Sequence, residues 1–163
     1  MSILRRLKDY LDREKVTYEV LTHRETFTAP ELAQALQMPG RELAKVVMVK
    51  VDERIVMAVL PANWRADLKR LKEIFRTSHV RLATEAEFKE LFTDCELGAM
   101  PPFGNLYGLE VYVDQSLTTD REIVFQAGTR HEAVKLQYQD FAGLVRPRVA
   151  EFHVATMGPK TDA

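Results

Sequence analysis

Lys45 is the first residue in this chain whose type and setting suggest chemistry. It stands second in the β-rich run Ala44–Val51. In a strand, alternate side chains share a face, so Lys45 goes with Val47, Val49 and Val51, opposite Val46, Met48 and Lys50. Both faces are largely apolar, which predicts a central strand. An ammonium group at the start of such a strand can point into a cleft and hold a phosphate or a carbonyl oxygen. A lysine there can equally snorkel to water along its own methylenes. The run alone leaves both readings open.

Two glycine-bearing segments are the other candidates. Gly98-Ala99-Met100-Pro101-Pro102-Phe103-Gly104 frames a proline pair with glycines, so backbone amides can face outward and approach a ligand. The same loop also reads as a rigid connection with Phe103 pinned in a core. Ala127-Gly128-Thr129 follows the apolar run Ile123–Phe125, and a strand ending in a Gly-Thr turn can present N–H groups and a hydroxyl. Most such turns are only turns.

The remaining reactive types offer less. His23, His79, His131 and His153 lie far apart, and His131-Glu132 lacks the second histidine of a zinc helix, so no metal site is expected. Cys95 lies between Asp94 and Glu96, neighbours that raise a thiol pKa, and it should lie away from the site. No nucleophile elbow, Walker loop or dinucleotide fingerprint occurs, and no cofactor is expected.

The elements that must position these residues follow from hydrophobic spacing. Ile3, Leu4, Leu7, Tyr10 and Leu11 predict an amphipathic helix within Met1–Lys15, and Tyr18 with Val20 a first strand. Thr28 and Glu31 have capping-box spacing with Pro30 in the first turn; Leu32, Ala33 and Leu36 form the buried stripe, and Pro39-Gly40 closes the helix. Ala44–Val51 and Arg54–Leu60, split by Asp52-Glu53, predict a hairpin. Leu68, Leu71, Ile74 and Phe75 mark a further helix. Thr84 and Glu87 cap another, running through Phe88, Leu91 and Phe92. Strands are expected at Leu109–Val113, Ile123–Phe125 and Ala133–Leu136, and a last helix through Phe141, Leu144 and Val145 before Pro147. The fold class is therefore α/β of the α+β kind: a mixed, largely antiparallel sheet flanked by helices, without regular βαβ alternation.

A chain of 163 residues with 46% hydrophobic content fits one domain, expected to span 1–163. No run approaches the ~18 apolar residues of a membrane span, and the start lacks the apolar block of a secretory signal. A single cysteine excludes an internal disulfide and suits a reducing compartment, so the cytoplasm is expected. A net charge of -1 argues against a protein that grips long duplex; DNA is not an expected partner, and RNA would be touched over a short stretch.

Ala44-Lys45-Val46-Val47, the Gly98–Gly104 loop and Ala127-Gly128-Thr129 occur in the order and spacing of one family. The chain resembles the YbaK/EbsC-type aminoacyl-tRNA deacylases, which are related to the editing domain of bacterial prolyl-tRNA synthetases. The likeness runs from about Leu4 to about Phe152, and Gly98, Pro102, Phe103 and Gly104 are its most specific piece. It implies a curved mixed sheet ringed by helices and hydrolysis of the ester joining a wrong amino acid to the tRNA 3′ end. The partners implied are that acceptor end and, as a further candidate, an aminoacyl-tRNA synthetase.

By resemblance, Lys45 anchors a phosphate or orients the ester, with Gly128 and Thr129 beside it as catalytic positions. Gly98, Pro102, Phe103 and Gly104 shape the amino-acid pocket; His23, expected near its mouth, and His131 are further candidate substrate contacts. Lys45, the loop and Gly128 should then line one pocket. An activated ester needs little beyond a placed water and donors to the oxyanion, and the substrate's ribose hydroxyl can help with the proton. The alternative is a tRNA- or synthetase-binding module that keeps the fold without turnover. Two departures bear on amino-acid preference: Ala133 stands where some relatives have aspartate, and Arg130 intervenes before His131.

Overall fold

The computed structural model describes residues 4–154. In chain order the elements are α1 (Arg5–Arg13), β1 (Tyr18–Thr22), α2 (Ala29–Ala35), β2 (Ala44–Val51), β3 (Arg54–Pro61), β4 (Arg65–Ala66), α3 (Leu68–Phe75), β5 (Val80–Leu82), α4 (Glu85–Phe88), β6 (Val111–Asp114), β7 (Glu122–Thr129), β8 (Glu132–Gln137), α5 (Tyr138–Val145), β9 (Arg148–Ala150) and β10 (His153–Val154). The expected helical residues Met1–Ile3 lie outside the described residues.

The sheet is mixed and largely antiparallel. A five-stranded sheet runs β5-β2-β3-β6-β9, a three-stranded sheet β1-β8-β7, and β10 pairs with β4. Among the described strands, β3 with β6 and β6 with β9 pair in parallel, and the other pairs are antiparallel. A bridge between Leu43 and Val124 joins the approach to β2 to the middle of β7, so the two larger sheets meet beside Lys45. The β2–β3 hairpin forms as expected, with Val51 opposite Arg54 and Asp52 at φ 53° in the turn.

Alternation along β2 sorts its side chains into two cores. Ala44 and Met48 join the larger cluster with Leu7 and Leu11 of α1 and Phe141 of α5, while Val49 and Val51 pack with Leu71 of α3 and Phe152. Leu32 and Ala33 of α2 pack with Leu43, just before β2, and with Val124 and Ala133 of the three-stranded sheet. The capping boxes at Thr28 with Glu31 and at Thr84 with Glu87 are both formed.

Several boundaries differ from expectation. Helix α2 stops at Ala35, because Gln37 takes a left-handed conformation, and Gly40 instead opens a 3-10 turn through Glu42. Helix α4 is a single turn that tightens into a 3-10 turn at Lys89–Leu91. Gly128 and Thr129 belong to β7, Gly128 lying within a register irregularity between Gln126 and Thr129, and the turn itself is Arg130-His131. Strands β4, β5, β9 and β10 lack a sequence signal; each is three residues or fewer and is held by its neighbours. The last of these is fixed through Asp114, which is fully buried and accepts from the Phe152 amide at 2.8 Å; its Oδ2 lies 2.9 Å from His153 Nδ1.

Candidate functional site

Strand β5 pairs with β2 only over Val49–Val51, and the Ala83 amide closes the ladder on the Met48 carbonyl at 2.9 Å. On the β5 side, the Lys45 end of β2 therefore has no strand beside it among the described residues, although β3 pairs along its other edge, and a cavity of about 530 Å³ fills the gap. Lys45 through Met48 form one wall, Phe27 to Pro30 at the start of α2 another, and Leu82, Ala83, Glu85 and Phe88 a third; Gly98, Met100 and Gln126 complete it. The lining is mainly apolar, with Lys45 and Glu85 as its charged members. Lys45 is 8% exposed, so its ammonium acts in a partly water-excluded setting where charge interacts strongly with a ligand.

The wall from α4 is fixed electrostatically. Glu87 accepts two hydrogen bonds from the Arg81 guanidinium, at 2.9 and 2.6 Å, and one from the Thr84 amide at 2.9 Å. Arg81 first, then the Thr84 amide and Lys50, holds the Glu87 carboxyl well below the usual carboxylate range. That clamp sets the turn from which Glu85 and Phe88 face the cavity.

Gly98 and Gly128 are linked although only Gly98 reaches the cavity. Gly98 has φ +89°, and a Cβ there would lie 3.5 Å from Nη2 of Arg130. Gly128 donates its amide to the Ala99 carbonyl at 2.8 Å and accepts from the Glu96 amide at 2.8 Å. With φ +99° and Leu4 Cβ only 2.6 Å from a built Cβ, Gly128 has no room for a side chain. It ties the end of β7 to the loop instead of lining the cavity.

Other expected site residues lie behind the wall. Phe103 is fully buried, with ring centroids 5.5 Å from Phe125 and 5.6 Å from Phe141. Gly104 packs so closely that a Cβ would sit 2.7 Å from Val111 Cγ2. Pro102 is buried beside them and is not in the lining. The first half of the loop meets the cavity and the second half anchors it. Thr129 is buried and donates its hydroxyl to Glu132 Oε1 at 2.8 Å, while accepting from the His131 amide at 3.3 Å. His23 and His131 join through backbone, His23 N–H to His131 carbonyl at 2.9 Å, and neither lines the cavity.

Cys95 is also outside the lining, and burial, with Asp94 beside it, pushes its thiol up to about 12. Among the described residues no three His, Cys, Asp or Glu side chains group as a metal would require. No helix there is long and apolar enough to cross a membrane.

Sequence reasoning missed Phe27 and Arg130. The Arg130 amide donates to Glu96 Oε1 at 2.5 Å, its guanidinium donates to the Leu97 carbonyl, and its carbonyl accepts from the Thr26 amide at 3.1 Å. The guanidinium carbon lies 5.1 Å from the centre of the Phe27 ring. An aromatic residue directly before a capped helix start was the available signal for Phe27.

The sequence model of the aminoacyl-tRNA editing domain matches residues 23–144, which include the cavity lining. The multifunctional Ser/Thr-tRNA deacylase ProXp-y of Escherichia coli (strain K12) is 30% identical over 153 residues, covering 90% of each chain. A proline–tRNA ligase of Geobacillus sp. (strain WCH70) is 30% identical over 90 residues, 55% of this chain and 16% of the ligase. Two solved structures share the fold. One, described as a candidate trans-editing enzyme for prolyl-tRNA synthetase, has a TM-score of 0.79 at 22% identity, covering 93% of this chain and 96% of that one. The other, the hypothetical protein APE2540, has a TM-score of 0.81 at 21% identity, covering 92% and 100%. The chain belongs to the aminoacyl-tRNA editing domain family.

Proposed function

We propose that this protein is a trans-editing hydrolase that cleaves the ester between a wrongly attached amino acid and the 3′ end of tRNA. The observation that carries the reading is the cavity at the open end of β2, where a buried lysine meets the glycine loop in a chain of the editing family. The likeness to a Ser/Thr-tRNA deacylase over nine-tenths of both chains supports the same chemistry. Lys45 holds the oxygen or phosphate nearest the reacting ester. The Gly98 end of the loop bounds the aminoacyl group, with Gly128 and Thr129 as positioning residues that fix the loop and the neighbouring turn. His23 and His131 contribute backbone support to that turn.

The chemistry asks little of side-chain acids and bases. The ester is activated, so a placed water and a fixed positive charge at the developing oxyanion supply much of the acceleration. The substrate's ribose hydroxyl serves the proton transfer. A pocket that accepts an amino acid by size suits an editing enzyme, because a synthetase rejects a smaller side chain only weakly by binding alone. Contact with a single-stranded acceptor end suits a chain of net charge -1. A synthetase that delivers the tRNA is a further candidate partner, and a cytoplasmic setting and a single domain over 1–163 accord with the reading.

The test is hydrolysis of a panel of tRNAs charged with alanine, serine, threonine or cysteine, comparing the native protein with Lys45→Ala. Hydrolysis of at least one ester, lost in the variant, is expected. Stable esters across the whole panel would favour a binding module of the same fold.

A further inference from the structure

We infer that Phe27, braced by Arg130, is a stacking platform for the nucleobase of the nucleotide that carries the aminoacyl ester. The inference rests on the deacylase reading and extends it from the amino acid to the nucleoside. Phe27 is 61% exposed, against 43% for Val20, 37% for Leu91 and 52% for Val149, the other exposed large apolar side chains among the described residues. Of these four, Phe27 alone lines the cavity.

Its exposure is not accounted for by helix capping. An apolar residue before an N-cap ordinarily folds onto the residue at the helix's fourth position, here Leu32. Leu32 is buried in a separate cluster at 1% exposure, and Phe27 stays in solvent. Its backbone is nonetheless fixed, with the Phe27 amide donating to Glu31 Oε1 at 2.9 Å. The Arg130 guanidinium lies over the ring and is itself held by Leu97. A fixed aromatic ring beside a guanidinium, open to solvent, suits a flat, electron-rich group near a phosphate.

The geometry of the substrate supplies that group. With the amino acid inside the cavity, the ribose sits at the mouth and its base must leave past the rim. Unpaired bases at RNA ends are commonly taken up by stacking on aromatic and guanidinium planes. Arg130, holding the Leu97 carbonyl and lying over the Phe27 ring, thereby couples the Gly98 loop to the base platform.

The experiment measures binding of the seryl and alanyl amides of 3′-amino-3′-deoxyadenosine, which resist hydrolysis, and of the same compounds with hydrogen in place of the base. Native protein, Phe27→Ala, Phe27→Leu and Phe27→Trp are compared by calorimetry. The native protein should bind at least one base-bearing amide about tenfold more tightly than its base-free form, the lower range of stacking effects. Phe27→Ala and Phe27→Leu should lose that preference, and Phe27→Trp should keep it. Failure of the native protein to bind either base-bearing amide, the absence of a base preference, or a Leu variant equal to the native protein would overturn the platform. Deacylation is scored separately: base-dependent binding without turnover would sink the deacylase reading and leave the platform standing. Turnover without base-dependent binding would do the reverse.

Discussion

The Gly128 amide donates to the Ala99 carbonyl over 2.8 Å, joining the end of β7 to the loop that brings Gly98 to the cavity. A left-handed residue with Leu4 packed against its α-carbon makes this joint. Gly128→Ala must place a methyl where 2.6 Å separates it from Leu4 Cβ, and must do so at φ +99°. The combined backbone and overpacking penalty is about 2–5 kcal/mol. In a domain of this size that lowers the melting temperature by roughly 5–15 °C. Thermal unfolding followed by circular dichroism checks it; an unchanged midpoint would show that the joint is not rigid.

Cys95 gives a pH dependence of definite sign. Burial raises its folded thiol to about 12, whereas an unfolded cysteine titrates near 8.5. Between those values the unfolded chain has lost the proton and the folded one keeps it, so stability falls as pH rises. Below about pH 8 both states are protonated and the group contributes no slope. Urea unfolding at several pH values from 7 to 10 should show this decline, shallower in Cys95→Ala. Because the thiol lies outside the cavity and stays protonated, Cys95→Ala should retain deacylase activity.

Met100 bounds the cavity beside Gly98 and is 7% exposed. Met100→Ala removes a flexible wall and enlarges the space for the aminoacyl side chain. Discrimination by an apolar wall is worth about tenfold or more per methylene. Hydrolysis of esters of larger amino acids should therefore rise about tenfold relative to those of alanine or serine. Competition between differently charged tRNAs reads the ratio, and an unchanged ratio would move the aminoacyl group elsewhere in the cavity.

Much of the scaffold was legible because local signals and tertiary packing agree. The apolar runs on either side of Asp52-Glu53 form β2 and β3, and both capping boxes start helices where their spacing says. Lys45 could be placed at the start of a strand, but the cavity depends on β5 stopping at Val49, which no periodicity in Val80–Leu82 specifies. The glycine motifs drew attention to the right segments and concealed a division of labour. Gly98 meets the cavity, whereas Gly104, Phe103 and Gly128 are constrained by packing. Thr129 carries a hydroxyl suited to chemistry, yet it is spent as a hydrogen-bond donor to Glu132 three residues on. Arg130 looked like an interruption of the motif, because its contacts with Leu97 and Phe27 join segments far apart in the chain.

In the proposed reaction the Lys45 ammonium acts on the reacting ester. Single-turnover hydrolysis of the best mischarged tRNA, measured for the native protein and for Lys45→Met, isolates the contribution of that charge. Methionine keeps the length and apolar stem and removes the charge. The rate constant should fall by roughly 100-fold or more, the scale for losing one preorganised electrostatic donor, with the melting temperature nearly unchanged. A Lys45→Met rate within about threefold of native, far below that scale, would show that the ammonium takes no part in the chemical step.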